Sequence, residues 1–158
     1  MNSRNILKNE DAVSISVGFV IMFAISVLVF VSLIISFHTV LQNTEKSVMQ
    51  KDFSIIGVSL SEKINTVDLI SNSIISLGGE SSSIEYEFSL PASIAGKTYT
   101  LNLTDSPLQV IMESDNGARA VSPFNITSNI EGVKIYSGAE NYKLIYNKNN
   151  NSIIIKGE

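Results

Sequence analysis

From Ala12 to Phe37 the chain is apolar, broken only by serines and one glycine, and nothing from Ala12 to Asn43 is charged at pH 7. As a helix at about 1.5 Å per residue, Ala12–Phe37 would span roughly 39 Å, against the roughly 30 Å of a bilayer core. The buried helix of a soluble core is shorter and two-faced. A secretory signal has an apolar region of about 7–15 residues that ends at a small-residue cleavage site. Here the segment runs on into His-Thr-Val-Leu-Gln-Asn-Thr-Glu. The pattern therefore predicts a transmembrane helix over residues 13–41 that stays on the mature protein.

From Glu45 the period changes. Met49, Phe53, Ile56, Leu60, Ile64, Val67, Ile70 or Ser71, Ile74 and Leu77 recur every three or four residues, with Lys46, Lys51, Asp52, Glu62 and Lys63 off the stripe. This predicts an amphipathic continuation of the helix over residues 42–77, bent or broken near Asn43-Thr44 or Gly57. The stretch Ser76–Ser83 ends it, with Gly78 or Gly79 as the left-handed cap.

Beyond residue 78 the period is two. Ser83–Leu90 alternates and stops at Pro91, and Thr98–Leu103 places Tyr99, Leu101 and Leu103 on one face. Residues 107–124 read as a hairpin with Asn116-Gly117 as a two-residue turn. Residues 132–157 read as three strands joined at Ser137–Asn141 and at the Asn-rich 147–151. The expected class is α+β: one long N-terminal helix, transmembrane then amphipathic, followed by a small antiparallel β head over residues 78–158. The head should hold six or seven strands, as a sandwich or rolled sheet packed on the helix.

Charge removes several function classes. Arg4 and Lys8 offset Glu10 and Asp11, and nine Lys/Arg face thirteen Asp/Glu from Glu45 onward, so the net charge of −4 belongs to the C-terminal part. Nucleic acid wants clustered basic side chains, and an acidic head has no electrostatic affinity for an anionic lipid surface. With no cysteine, disulfides, thiolate metal sites and cysteine nucleophiles are excluded. His38, the single histidine, sits at the end of the apolar span, where an amphipathic ring suits the interface. Glu85 and Glu87 share a strand face, which reads as solvated surface before acid–base chemistry. Asp115-Asn116-Gly117 reads as a turn before a calcium site. Tyr136, Tyr142 and Tyr146 read as cross-strand neighbours before a sugar-binding or adhesive surface. No enzyme, cofactor or metal is expected. Three Asn-x-Ser/Thr sequons, at Asn102, Asn125 and Asn150, all fall on the β half, as an extracytoplasmic head would carry them. Asn125 is the first candidate for N-glycosylation.

The order of residues at the start of the apolar run is more specific. Ala12, Val13, Ser14, Gly18, Met22, Ala24, Ile25, Ser26 and Val27, with apolar residues between, resemble the N-terminus of archaeal type IV pilins. Those read Ala/Gly-Val-Ser-Pro, a short spacer, Gly, and Val-Ile-Leu-Met-Val-Ala-Ile-Thr-Val. The resemblance covers the stretch Ala12–Val27 alone. Ile15 stands in place of the usual proline, Asp11 in place of a basic residue, and Val17 where bacterial pilins carry glutamate.

The resemblance implies a class III signal peptide. Its polar leader, residues 1–12, would stay cytoplasmic, and a prepilin peptidase would cut between Ala12 and Val13; an uncut N-terminal anchor is the alternative. It also implies a second use of the helix, self-assembly or assembly with other pilin-like subunits through Ser14, Gly18, Met22, Ala24, Ile25 and Ser26. Of these, Ser14, Gly18, Ala24 and Ser26 are small enough for close helix approach. The expected protein is a non-enzymatic, single-pass cell-surface protein in the cell membrane, or in a surface filament. Its head would face outward for adhesion or envelope contact. The missing proline and glutamate favour a minor pilin-like protein over a major subunit. A permanently anchored ligand-binding protein and an accessory subunit of a membrane complex are the other readings.

Overall fold

The computed structural model describes residues 3–78, 83–138 and 141–157, with side chains from residue 13 onward. Its contacts divide the chain after Asn43 into two units. The fold is α+β: one long helix, α1 (Ser3–Ser76), followed by eight strands.

In the first unit α1 carries the apolar run. Its side chains from Val13 to Asn43 are all exposed, including Phe19, Met22, Phe30 and Ile35. An 18-residue window here reaches a mean hydropathy of 2.9, so the helix is long and apolar enough to cross a membrane.

The second unit begins with the rest of α1. Met49, Phe53, Leu60, Ile64 and Val67 are at most 2% exposed and form the helix's contribution to the core. No break interrupts the helical assignment at Asn43-Thr44 or at Gly57. Gly57 serves a close approach instead: a Cβ built there would lie 2.5 Å from Ser122 Oγ and 3.2 Å from Ser122 Cβ. Ser61 ties the same contact, its hydroxyl donating to Gly57 O at 2.9 Å and lying 3.3 Å from Ser122 O. Near the end Ser71, not Ile70, turns inward, and Leu77 is exposed rather than on the buried stripe. Gly78, at φ +75°, supplies the left-handed cap; Gly79 lies outside the described residues.

The strands form two four-stranded sheets. One has the order β1 (Ser83–Ser89), β7 (Asn141–Asn147), β8 (Ser152–Gly157), β5 (Asn129–Ile130). The other has the order β4 (Arg119–Pro123), β3 (Leu108–Glu113), β2 (Thr100–Asp105), β6 (Val133–Tyr136). Among the described residues the head thus has eight strands rather than six or seven, and β5 pairs with β8 in parallel while the other pairs are antiparallel. The expected run of three neighbouring strands over 132–157 is divided, with β6 in one sheet and the β7–β8 hairpin in the other.

Both sheets and the helix share one core. Leu101 and Leu103 of β2, Val110 and Met112 of β3, Leu144 of β7 and Ile153 of β8 are at most 1% exposed. Their alternation with half-exposed neighbours is the period of two seen in the sequence. Phe53 meets Tyr99 at a centroid distance of 5.6 Å, and Phe88 stacks on its cross-strand partner Tyr142 at 5.7 Å. Such pairs add about 0.5–1.5 kcal/mol beyond area burial.

Candidate functional site

Residues 13–43 of α1 are the first candidate, because an exposed apolar helix surface is the feature a soluble monomer does not keep. Four hydroxyls there are already satisfied. Ser26 donates to Met22 O at 2.8 Å, Ser32 to Leu28 O at 2.8 Å, Ser36 to Ser32 O at 2.9 Å and Thr39 to Ile35 O at 3.0 Å. Each hydroxyl returns to the carbonyl one turn back, so these side chains can enter hydrocarbon without an unpaired polar group. Burying each of the large apolar side chains is worth about 1.5–3 kcal/mol.

A Cβ at Gly18 would meet nothing within 4 Å. Ser14, Met22, Ala24, Ile25 and Ser26 are exposed beside it, as is Val13. The leader's side chains and that of Ala12, half of the expected cleavage point, lie outside the described residues. His38 is exposed, with its Nε2 2.9 Å from Gln42 Nε2.

In the second unit the sequons separate. Asn125 and Asn150 are exposed in loops, whereas Asn102 is half-buried in mid-β2, paired with Ile111 and Lys134. Thr127, the hydroxyl residue of the Asn125 sequon, is held by the helix. Its hydroxyl lies 3.2 Å from Asp68 Oδ2 and accepts from Asn72 Nδ2 at 2.7 Å.

Asp68 is the residue the periodicity missed. Only 4% exposed, it accepts from Thr127 N–H at 3.0 Å and Ser128 N–H at 2.9 Å. Burial alone would raise its pKa, but the donors on Ser128 and Thr127 outweigh that and hold it below 3.8. A carboxylate between Val67 and Ile70, within the apolar stripe, was the available signal.

The other candidate chemistry resolves into structure. Asn116 is exposed but tied by its side chain: its Oδ1 accepts from Ala118 N–H at 3.0 Å and its Nδ2 lies 3.0 Å from Met49 Sδ. The expected two-residue turn is a longer one, with Gly117 N–H donating to Ser114 O, Ser114 N–H donating to Ala118 O, and Gly117 at φ +78°. Among the described residues no three His, Asp or Glu gather as a metal site would need. Glu85 and Glu87 are exposed, Glu87 lying 3.2 Å from Lys143 Nζ. The three tyrosines do not form one cluster. Tyr142 and Tyr146 are buried in β7, and Tyr136 is 68% exposed in the other sheet. Burial, with Tyr142 beside it, pushes the Tyr99 hydroxyl up to about 12, and that hydroxyl donates to Pro91 O at 2.6 Å.

Compared with known families, residues 8–153 match the model of a family of unknown function, DUF7266. The chain belongs to DUF7266. The family match takes in the apolar segment, the amphipathic half of α1 and strands β1 to β7. No curated protein matches the chain, and no solved structure does.

Proposed function

We propose that this DUF7266 chain is a pilin-like, membrane-inserted cell-surface protein. Its apolar helix anchors it in the cell membrane or assembles it with other pilin-like subunits, and its β head faces outward for adhesion or envelope contact. The observation that carries the reading is the exposed helical surface over residues 13–43, whose hydroxyls at Ser26, Ser32, Ser36 and Thr39 bond back to their own helix. Such a surface suits lipid and an apolar helix bundle equally, because neither demands new hydrogen bonds. In this reading residues 1–12 are a class III leader, a prepilin peptidase cuts between Ala12 and Val13, and Ser14, Gly18, Met22, Ala24, Ile25 and Ser26 lie in the packed helix. The protein carries no enzymatic role, and N-glycans sit on the head.

A second reading is a permanently anchored protein with a ligand-binding head. An open cleft on the β4-β3-β2-β6 sheet favours it. Mass spectrometry of the native N-terminus, in membranes and in sheared surface material, tests the two. A chain starting at Val13 and present in the sheared material supports the pilin-like protein. A chain that retains residues 1–12 and is confined to membranes refutes it and leaves the anchored protein.

A further inference from the structure

The register of the second sheet aligns four side chains in one row. Arg119 of β4 lies opposite Glu113 of β3, Glu113 opposite Thr100 of β2, and Thr100 opposite Tyr136 of β6. Directly opposed residues share a face. The alternate residues Leu101 and Met112 belong to the core and Ile135 packs against it, so the Arg119-Glu113-Thr100-Tyr136 row is on the sheet's other face. The neighbouring row on that face is Val121, Ile111, Asn102 and Lys134.

At the turn end of this face opens a cleft of about 670 Å³, lined by both ends of the first row and by Lys134, Asp115 and Ser137. That volume falls in the range of small-ligand sites, roughly 300–1,000 Å³. Three properties of the lining define what fits. First, its charges cancel: Glu113 and Asp115 face Arg119 and Lys134. A phosphate or nucleic-acid ligand calls for a net positive site. Second, donors and acceptors are interleaved. Arg119 Nε and Glu113 Oε2 are 3.8 Å apart, longer than a tight bidentate pair, so both keep hydrogen-bonding capacity toward a ligand. Third, Tyr136 is 68% exposed, an aromatic ring that the core does not use. Lys134 Nζ lies 5.5 Å from its centroid, which steadies the ring at the cleft edge.

An aromatic face receives the weakly positive C–H face of a sugar ring through its quadrupole. Interleaved carboxylate and guanidinium groups bond adjacent hydroxyls, as acceptor and donor. We infer that this cleft binds an uncharged saccharide, with Tyr136 as the stacking platform and Glu113 and Arg119 as the hydroxyl-bonding pair. The saccharide site supplies the ligand for the adhesive role proposed above and rests on the outward placement of the head; filament formation is not required.

The test uses the full chain in nanodiscs. It is presented to immobilised neutral hexose and N-acetylhexosamine oligosaccharides, with uronic-acid oligosaccharides and inorganic phosphate as charged comparisons. The neutral oligosaccharide that binds is then titrated against variants. Tyr136→Ala and Glu113→Gln should each weaken binding roughly tenfold or more. Tyr86→Ala, an exposed tyrosine of the other sheet, should leave it unchanged. Both cleft residues are on the surface, and near-UV circular dichroism of each variant confirms an unaltered fold. No binding to any neutral oligosaccharide, stronger binding to the charged probes, or unchanged affinity in Tyr136→Ala would each overturn the assignment. Protease access to the head on intact cells separates the two ideas. An accessible head that binds no saccharide sinks the cleft assignment alone, and an inaccessible head sinks the outward placement on which it rests.

Discussion

Replacing Asp68 by alanine should unlatch the loop 124–128 from the helix. The carboxylate accepts two backbone N–H bonds, from Thr127 at 3.0 Å and Ser128 at 2.9 Å, and has the Thr127 hydroxyl at 3.2 Å. Removing it leaves two N–H donors without their partner in a site where Asp68 and Ser128 are at most 6% exposed. An unsatisfied buried donor costs about 1–3 kcal/mol, and Thr127 is exposed enough for its N–H to turn to water, so the loss, carried mainly by Ser128 N–H, should be about 2 kcal/mol. Asp68→Asn keeps one acceptor oxygen but sets an NH₂ against a donor, and should lose about half as much.

The pH dependence follows in sign. The folded pKa lies below the ordinary carboxylate value of 3.8, so the clamp's full contribution is present above that value and is lost as pH falls through the lower, folded pKa. Urea unfolding of the full chain in mild detergent, followed by tyrosine fluorescence, measures both effects, since Tyr99, Tyr142 and Tyr146 are buried in the core. The Asp68→Ala protein should lose stability less steeply than the parent as the medium is acidified from about pH 5. A loss below about 1 kcal/mol, the net worth of one ordinary hydrogen bond, would refute the clamp. So would identical acid slopes in parent and variant.

Two further outcomes are expected. Gly57→Ala should destabilise the head by about 1–2 kcal/mol, although alanine favours a helix by about 1 kcal/mol. The reason is the new Cβ at 2.5 Å from Ser122 Oγ; adding Ser122→Gly should return part of the loss in a double-mutant cycle by urea unfolding, and strict additivity would rule the contact out. Mass-shift mapping of glycopeptides from the native protein should find glycan on Asn125 or Asn150, the exposed loop sequons, and none on the half-buried Asn102; glycan confined to Asn102 would contradict the ordering.

How far the sequence foretold the fold depends on the distance between interacting residues. Met49 to Val67 read correctly because helical spacing is local, and so did the alternation of Tyr99, Leu101 and Leu103. Hairpins between neighbours, such as β7–β8, follow from the same short-range pattern. The partition into two sheets does not, because β1 finds β7 and β2 finds β6 across long stretches of chain. Strand β5, two residues long and parallel to β8, carries too little pattern to be seen.

Asp68 was passed over because its partners, Thr127 and Ser128, lie on a distant loop. Gly57 looked like a helix breaker because Ser122, which needs its missing side chain, was equally remote. In the first unit the apolar run was plain from residue 13. At the cleft, Tyr136 was grouped with Tyr142 and Tyr146 by sequence proximity. Only the strand register assigns it to the row with Arg119, Glu113 and Thr100.

The pairing of β1 with β7 also sets a timetable. Ser89 needs Asn141, and Ser83 needs Asn147, so the first strand to emerge during synthesis must wait for nearly the last. Pairings so far apart in sequence are slow to form, because the loop between them must close first. A vectorially emerging head therefore passes through a stage in which β2, β3 and β4 have their neighbours and β1 does not. During that interval Phe88 of β1 lacks Tyr142, the ring it stacks on across the strands. Late closure of one sheet leaves a period in which that apolar strand face is uncovered, and completion of the C-terminal strands ends it.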